Sequence, residues 1–327
     1  MKMRRFFLIS LLLLGLTAAA GLCFGGANLS LTELLAVLAG EGLPAHRVIL
    51  WQIRLPRVAA GMLAGVGLSL AGSLLQTVTA NELASPNIIG INSGAGLAVI
   101  LLLSFAPGVG KLLPLGAFLG AFGAAMLILL VSGKLGSSKA NIVLIGIAVT
   151  TVFNAAISFL SLLDEGILAQ YNYFTVGSLK GIRMDDLALP GLIIIAAFGV
   201  AMILSARLGV LCLGDAAASA LGIPVKRLRI AALACAAACA AAVVSFAGLL
   251  GFVGLVVPHI AKRLVGQKPA KLLPASALVG AVIVVLADLL GRTLFAPSEL
   301  PVGILMSIVG APYFLILLCR RKQYVEI

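Results

Sequence analysis

The stretch Gly248–His259 reads GLLGFVGLVVPH: apolar enough for a membrane interior, yet with three glycines and a proline within twelve residues. A plain spanning helix has no use for so many breakers. Non-helical backbone at membrane depth is tolerated only where protein buries it or where it lines a cavity. Gly/Pro-interrupted segments are also where transporters build their pathways. The stretch therefore predicts a short, buried, interrupted helix inside a bundle of spanning helices. The competing reading is a loop followed by a helix start, since Gly and Pro are frequent in membrane helices generally.

The rest of the chain fits a bundle. It has 327 residues, of which 62% are hydrophobic and 10% charged, and its mean hydropathy is +1.20. A soluble domain carries about 25% charged residues. The fold class is an all-α polytopic membrane protein. At about 20 residues per span, the chain holds nine or ten helices in a single transmembrane domain, residues 1–327. The net charge of +12 does not point to nucleic acid, because its distribution follows membrane topology. None of the five cysteines, Cys23, Cys212, Cys235, Cys239 and Cys319, forms a CxxC pair. His46 and His259 lie too far apart in sequence to suggest a ligand pair. No catalytic residue, metal site or cofactor is expected.

In chain order, a basic start precedes an apolar run, Phe6–Phe24, expected as an uncleaved first helix: the bulky Leu22 ahead of Cys23 fits signal processing poorly. A short helix is expected over Leu31–Leu38 with Ser30 as its N-cap. Arg54-Leu55-Pro56-Arg57 leads into a second span, Val58–Thr79, with a GxxxG pair at Gly61 and Gly65. Gln76 should face protein rather than lipid. Asn81–Gly90 is a breaker-rich turn. Spans three to six are expected near Ile91–Phe105, Leu112–Val131, Asn141–Leu163 and Leu187–Leu204, with a long polar interval at Asp164–Asp186. Ala206–Arg229 is too polar and broken to span. Within it Asp215–Leu221 reads as a short Ala-rich helix, capped by Gly222 and stopped by Pro224. A seventh span at Ile230–Phe246, the interrupted eighth, a ninth at Leu272–Leu290 and a tenth after Glu299-Leu300-Pro301 complete the chain.

With ten spans, sixteen lysines and arginines fall on the side of the termini and seven on the other. The positive-inside rule then puts both termini in the cytoplasm. Arg54, Arg57 and Arg292 become exceptions at outer helix ends. An exposed cationic cluster there would suit an acidic partner; the alternative is interfacial anchoring, or for Arg292 a pair with Asp288 one turn earlier.

No phosphate-binding loop is present, so the chain is not expected to hydrolyse ATP. Ionisable residues are nearly absent from span centres, which counts against ion-coupled secondary transport. No HExxH motif or nucleophile elbow supports an enzyme.

Several blocks together resemble the FecCD-type permease subunits of ABC importers for iron-siderophores, heme and cobalamin. They are RLPR at Arg54–Arg57, LASPNIIGINSGA at Leu83–Ala95, LG(x)6LG at Leu213–Gly222, GFVGLVVPHIAKRLVG at Gly251–Gly266, LLPASALVGA at Leu272–Ala281, and LADLLGRTLFAPSELPVGILMSIVGAPYFLILL at Leu286–Leu318. The resemblance covers nearly the whole chain, in order. It implies the type II importer permease fold of about ten helices in the bacterial inner membrane. It further implies a dimer with a second permease chain, a cytoplasmic ABC ATPase dimer and an extracytoplasmic substrate-binding protein. On that resemblance Arg54, Arg57 and Arg292 would dock the binding protein. Gly214, Asp215, Ala218, Leu221 and Gly222, in the loop 206–229, would couple to the ATPase. Asn81, Leu83, Ser138 and Lys139 would belong to the cytoplasmic gate. One departure stands out: the family pattern Asn-Pro-Leu-Ala is Asn81-Glu82-Leu83-Ala84 here, which removes a rigid φ and adds a carboxylate.

The expected cargo is an iron(III)-siderophore-type chelate, with cobalamin or heme as the alternative. A secondary transporter without an ATPase, and a membrane scaffold, are the other classes; the short helix between cytoplasmic breakers favours the ABC importer over both.

Overall fold

The computed structural model describes residues 2–25, 30–86, 90–106, 108, 110–134, 139–296 and 298–322, and among these every regular element is a helix. α1 (Lys2–Cys23) is followed by the short α2 (Leu31–Leu38) and α3 (Pro44–Val48), and a π-helical turn, Ile49–Arg54, runs directly into α4 (Leu55–Thr79). Next come α5 (Ile91–Phe105), a 3₁₀ turn at Gly110–Leu112, α6 (Leu113–Lys134) and α7 (Lys139–Ser161). The second half contains α8 (Glu165–Val176), α9 (Met184–Leu211), α10 (Asp215–Ala220), α11 (Val225–Ala247), α12 (Val253–Val265), α13 (Pro269–Thr293) and α14 (Val302–Lys322). Seven helical stretches among the described residues are long and apolar enough to cross a membrane. The other three expected spans are α5 with 15 residues, α12 with 13, and α14.

Local sequence explains most boundaries. Ser30 caps α2 as expected. Its hydroxyl accepts from Glu33 N at 3.2 Å while Glu33 Oε2 accepts from Ser30 N at 2.7 Å, a reciprocal capping box. α10 ends in a Schellman motif: Gly222 N donates to Ser219 O at 2.9 Å and Ile223 N to Ala218 O at 3.0 Å.

Two boundaries differ from expectation. The polar interval Asp164–Asp186 contains α8, a helix with Asp164 as N-cap, whose Oδ1 accepts from Gly166 N at 2.7 Å. α9 does not stop near Leu204 but continues to Leu211. Nothing at Ser205–Ala206–Arg207 breaks a helix, so the non-spanning connector shrinks to the residues around α10.

α4 is the axis of the bundle. Of the apolar window in the stretch Pro44–Thr79, 78% is buried, against 11% for α1. α13, α11, α12 and α9 all pack on it. Lipid tails are as apolar as leucine, so contact between spans depends on close packing and small residues. A Cβ on Gly65 would lie 2.2 Å from Gly280 O of α13. The backbones of α4 and α13 touch there because neither residue has a side chain.

Candidate functional site

The interruption before α12 is real. α11 ends at Ala247, and Gly248 to Phe252 leave helical geometry, with Phe252 at φ 63°. The broken backbone is not left to lipid. Ser178 N donates to Ala247 O at 2.9 Å, Leu249 N to Phe174 O at 3.3 Å, and Gly303 N to Gly177 O at 3.1 Å. The end of α8 thus satisfies peptide groups of the break, as buried backbone requires. α12 is short and buried on its Val253, Val257, Pro258 and Ala261 face.

A second interruption lies between α4 and α5. Ala80 closes α4 in the left-handed region at φ 49°, and Asn81 Oδ1 accepts from Leu83 N at 3.0 Å, shaping the turn. The two short spans, α5 and α12, are five spans apart, at corresponding places in the two halves. Paired interruptions of this kind mark pathway regions in transporters. Ser85, Pro86 and Asn92 from one break meet Leu250, Gly251, Phe252, Gly254 and Leu255 from the other around a cavity of about 90 Å³, with Leu68 of α4 as its wall.

At the end where α4 begins, the structure gathers the three predicted arginines but buries them. Arg54, Arg57 and Arg292 are 3%, 7% and 4% exposed. The exposed cationic cluster anticipated from sequence is therefore absent from this chain's surface, because each guanidinium has internal partners. Arg57 Nε donates to both Asp288 oxygens at 3.0 Å, and its Nη1 to Glu299 Oε2 at 2.9 Å. Arg292 Nε lies 3.6 Å from Asp288 Oδ2, the i,i+4 pair foreseen as the alternative. Arg292 Nη2 donates to Gly21 O, and Arg54 Nη1 to Leu22 O and, at 2.7 Å, to Cys23 O. Those carbonyls are orphans at the C-terminus of α1, which has no basic residue in its own last turn. Two arginines from other helices cap them and meet the negative end of the helix dipole. Arg54 closes the π-helical turn and Arg57 follows three residues on in the first turn of α4, so the two share a face.

Glu299 is the residue that sequence reasoning missed here. Burial pushes its pKa up, but the Arg57 hydrogen bond and charge, with Lys180 and Arg292 behind, hold it below the usual glutamate value.

At the opposite end, the proposed coupling residues form one unit. Gly214 precedes α10 at φ 108° and Gly222 follows it at φ 76°, so glycines bracket the helix. Ala218, within the helix, is fully buried, while Leu221 is 66% exposed and Leu213 71%. Asp215 accepts two hydrogen bonds from Arg229 Nη2, at 2.9 and 2.8 Å, fixing α10 to α11. Arg229 was not singled out from sequence; an acidic first residue of one helix and an arginine on the next were the available signal. Lys226 Nζ, one turn earlier on α11, reaches Gly133 O near the end of α6 at 3.4 Å. A largely apolar groove of about 480 Å³ flanks α10's connector, lined by the end of α9, Cys212, Leu213 and residues 267–270.

Of the expected gate residues, Asn81 is exposed and Leu83 half-buried on the turn after α4. Ser138 lies outside the described residues, and Lys139 is described only as the first residue of α7. The structure does not bring α7's start and the Asn81 turn into described contact. Gln76 faces protein as expected, 2% exposed.

An all-α bundle with an axial helix, two paired interruptions and a short helix bracketed by glycines at one end defines a polytopic transport permease. The comparisons make this specific: residues 11–320 match the FecCD transport family, and the chain belongs to it. It is 41% identical over 278 residues to the Fe(3+)-citrate import system permease protein YfmE of Bacillus subtilis, covering 84% of each chain. It is 36% identical over 326 residues to the iron(3+)-hydroxamate import system permease protein FhuG of the same organism, covering 96% of each. A solved chain from a transporter assigned to the metal-chelate ABC type, in an inward-facing conformation, superposes with a TM-score of 0.88 at 31% identity, over 97% of this chain and 99% of that one. The fold is the type II importer permease fold.

Proposed function

We propose that this chain is the membrane-spanning subunit of an importer that moves an iron(III)-siderophore-type chelate into the cytoplasm. ATP hydrolysis on a separate ABC ATPase dimer drives it. The observation that carries the reading is α10: a short helix bracketed by glycines, held by Asp215–Arg229, with Leu221 and Leu213 presented outward beside an apolar groove. A secondary carrier or a scaffold has no use for such an element.

ATPase closure pushes α10. The buried guanidinium of Arg229 passes the displacement to α11, and Lys226 passes it to the end of α6, next to the loop that leads into α7. The gate turn at Asn81 and Leu83 responds at the same end. This is a two-state element biased from a distant nucleotide site. The same assignment places both termini in the cytoplasm of a bacterial inner-membrane protein, in line with the sixteen-to-seven charge asymmetry.

A second permease chain covers the apolar faces of α7 and α14, where Leu144, Ile147, Ile308 and Val309 are exposed. The extracytoplasmic binding protein docks at the arginine cluster. Since the cluster is internally paired, docking proceeds by exchange: an incoming carboxylate takes the place of Glu299, which is more exposed than Arg57 or Asp288. Cobalamin or heme is the alternative cargo, because the same family carries both.

Purification of the tagged chain from its native membrane in mild detergent, with mass spectrometry, tests the assembly. A stoichiometric ATPase subunit is expected. A chain that purifies alone at every salt concentration contradicts the reading.

A further inference from the structure

Glu82 stands where the family pattern has proline, and the proposed mechanism above does not use it. In the structure its carboxylate lies 3.7 Å from Lys262 Nζ on the last turns of α12. The lysine is largely enclosed, with 13% of its side chain exposed against 36% for Glu82. Lys262 Nζ also donates to Gln76 Oε1 at 3.0 Å. The other end of the same amide, Gln76 Nε2, donates to Leu255 O at 3.3 Å. Gln76 thus ties the last turn of α4 to the first turn of α12, and Lys262 ties both to the turn carrying Asn81 and Leu83.

The turn has no other anchor of this strength among the described residues. Its own hydrogen bonds, Asn81 Oδ1 from Leu83 N at 3.0 Å and Ala84 N to Asn81 O at 3.1 Å, shape it without attaching it to a neighbouring helix. Ala80 adopts a left-handed conformation that strains a non-glycine residue. Without proline's fixed φ, the turn has more backbone freedom to lose. The ion pair with the largely enclosed Lys262, at 3.7 Å, supplies the missing restraint.

We infer that Lys262 is a gate-positioning residue: with Gln76 it holds Glu82, and so Asn81 and Leu83, in the gate conformation seen here, and Glu82 does by charge what the family proline does by its ring. The inference rests on the proposed gate role of the Asn81–Leu83 turn. Releasing the restraint lets the gate move without a signal from α10, so ATP turnover loses its dependence on cargo-loaded binding protein.

The test uses the complete importer, permease with its co-purified ATPase, in lipid nanodiscs. Glu82→Gln and Lys262→Gln should each raise the ATPase rate without binding protein or cargo by about fivefold, the low end of ordinary coupling free energies. The charge swap Glu82→Lys with Lys262→Glu restores the ion pair but turns the Gln76 amide away from Leu255 O, so it should recover part of the wild-type coupling. Glu82→Pro should also restore it. Unchanged cargo-free rates in both single variants, or a swap that assembles but does not rescue, would overturn the inference.

Labelling separates this from the gate assignment. With Cys212 and Cys319 replaced by serine, Leu83→Cys is probed with a membrane-impermeant maleimide in nucleotide-free and vanadate-trapped states. Labelling that ignores the nucleotide state refutes the gate reading itself. Labelling that tracks nucleotide but is unaffected by Glu82→Gln refutes only the role of the Glu82–Lys262 contact. Labelling that tracks nucleotide in wild type and becomes constant in Glu82→Gln is the expected outcome.

Discussion

Replacing Gly72 with alanine probes how α12 is seated. A Cβ at Gly72 would lie 1.7 Å from Gly254 O, 2.5 Å from its carbonyl carbon and 2.8 Å from its Cα. A relaxed C···O contact is about 3.3 Å, so α4 and α12 must part by about 1.5 Å. The obstacle is backbone, so no side-chain rotation relieves it. Gly254 is itself wedged, since a Cβ there would meet Leu68 O at 2.9 Å and Pro86 Cδ at 3.0 Å. Overpacking of this kind costs about 1–3 kcal/mol, and a backbone clash belongs at the upper end. At about 2 °C per kcal/mol for a chain of this size, Gly72→Ala should lower the apparent melting midpoint by about 6 °C. The assay is thermal unfolding of the purified chain followed by Trp51, its single tryptophan. Gly123→Ala is the control, because nothing lies within 4 Å of its Cβ position. If Gly72→Ala melts within about a degree of Gly123→Ala, with overpacking costed as above, the close seating of α12 on α4 is refuted. The same separation would pull Leu255 O away from Gln76, so transport should fall along with stability.

Three other outcomes follow. Leu221→Asp, which places a charge at the exposed C-cap of α10, should abolish substrate-stimulated ATP turnover while leaving assembly of the spans intact; normal stimulation in purified importer would remove the coupling assignment. Arg229→Ala leaves α10 untied from α11 and should cut cargo uptake per ATP about tenfold or more, since a residue that transmits coupling is worth about 1–3 kcal/mol; the charge swap Asp215→Arg with Arg229→Asp should recover part of it, and equal coupling ratios in wild type and Arg229→Ala would exclude the relay. Glu299 has its pKa lowered in the fold, so its pairing with Arg57 is complete above the ordinary glutamate value and is lost only as pH falls through its depressed value. Wild type should therefore melt above Glu299→Gln at neutral pH, by the equivalent of about 1 kcal/mol, and the gap should close in acid. A gap that widens in acid would contradict the pairing.

Much of this architecture is legible residue by residue. Ser30 with Glu33 three residues on signals a capped helix, and a capped helix is found. The breakers at Gly248–Pro258 signal a broken span, and α12 is short and preceded by non-helical backbone. What could not be read was tertiary. The charge of Arg57 is visible in the sequence, but Asp288 and Glu299, 231 and 242 positions away, come to it only when α13 packs on α4 through Gly65 and Gly280. Until that packing is known, three basic residues at outer helix ends look exposed. α8 was hidden for another reason: its polarity resembles a loop, although Asp164 and Gly177 are a start and a stop signal. α9 overran its expected end because amphiphilic residues such as Arg207 continue a helix past the apolar span when no breaker intervenes. At the coupling unit the helix itself was legible and its tether was not, since the Asp215–Arg229 contact depends on how α10 folds back along α11.

On the proposed function, this chain moves cargo on the energy of ATP hydrolysed by another subunit. The most direct measurement is uptake of a radiolabelled ferric siderophore into proteoliposomes holding the chain, its co-purified ATPase and the binding protein. Accumulation should require hydrolysable ATP and be lost in Leu221→Asp. Accumulation that proceeds equally without ATP, or with the ATPase left out, would contradict it.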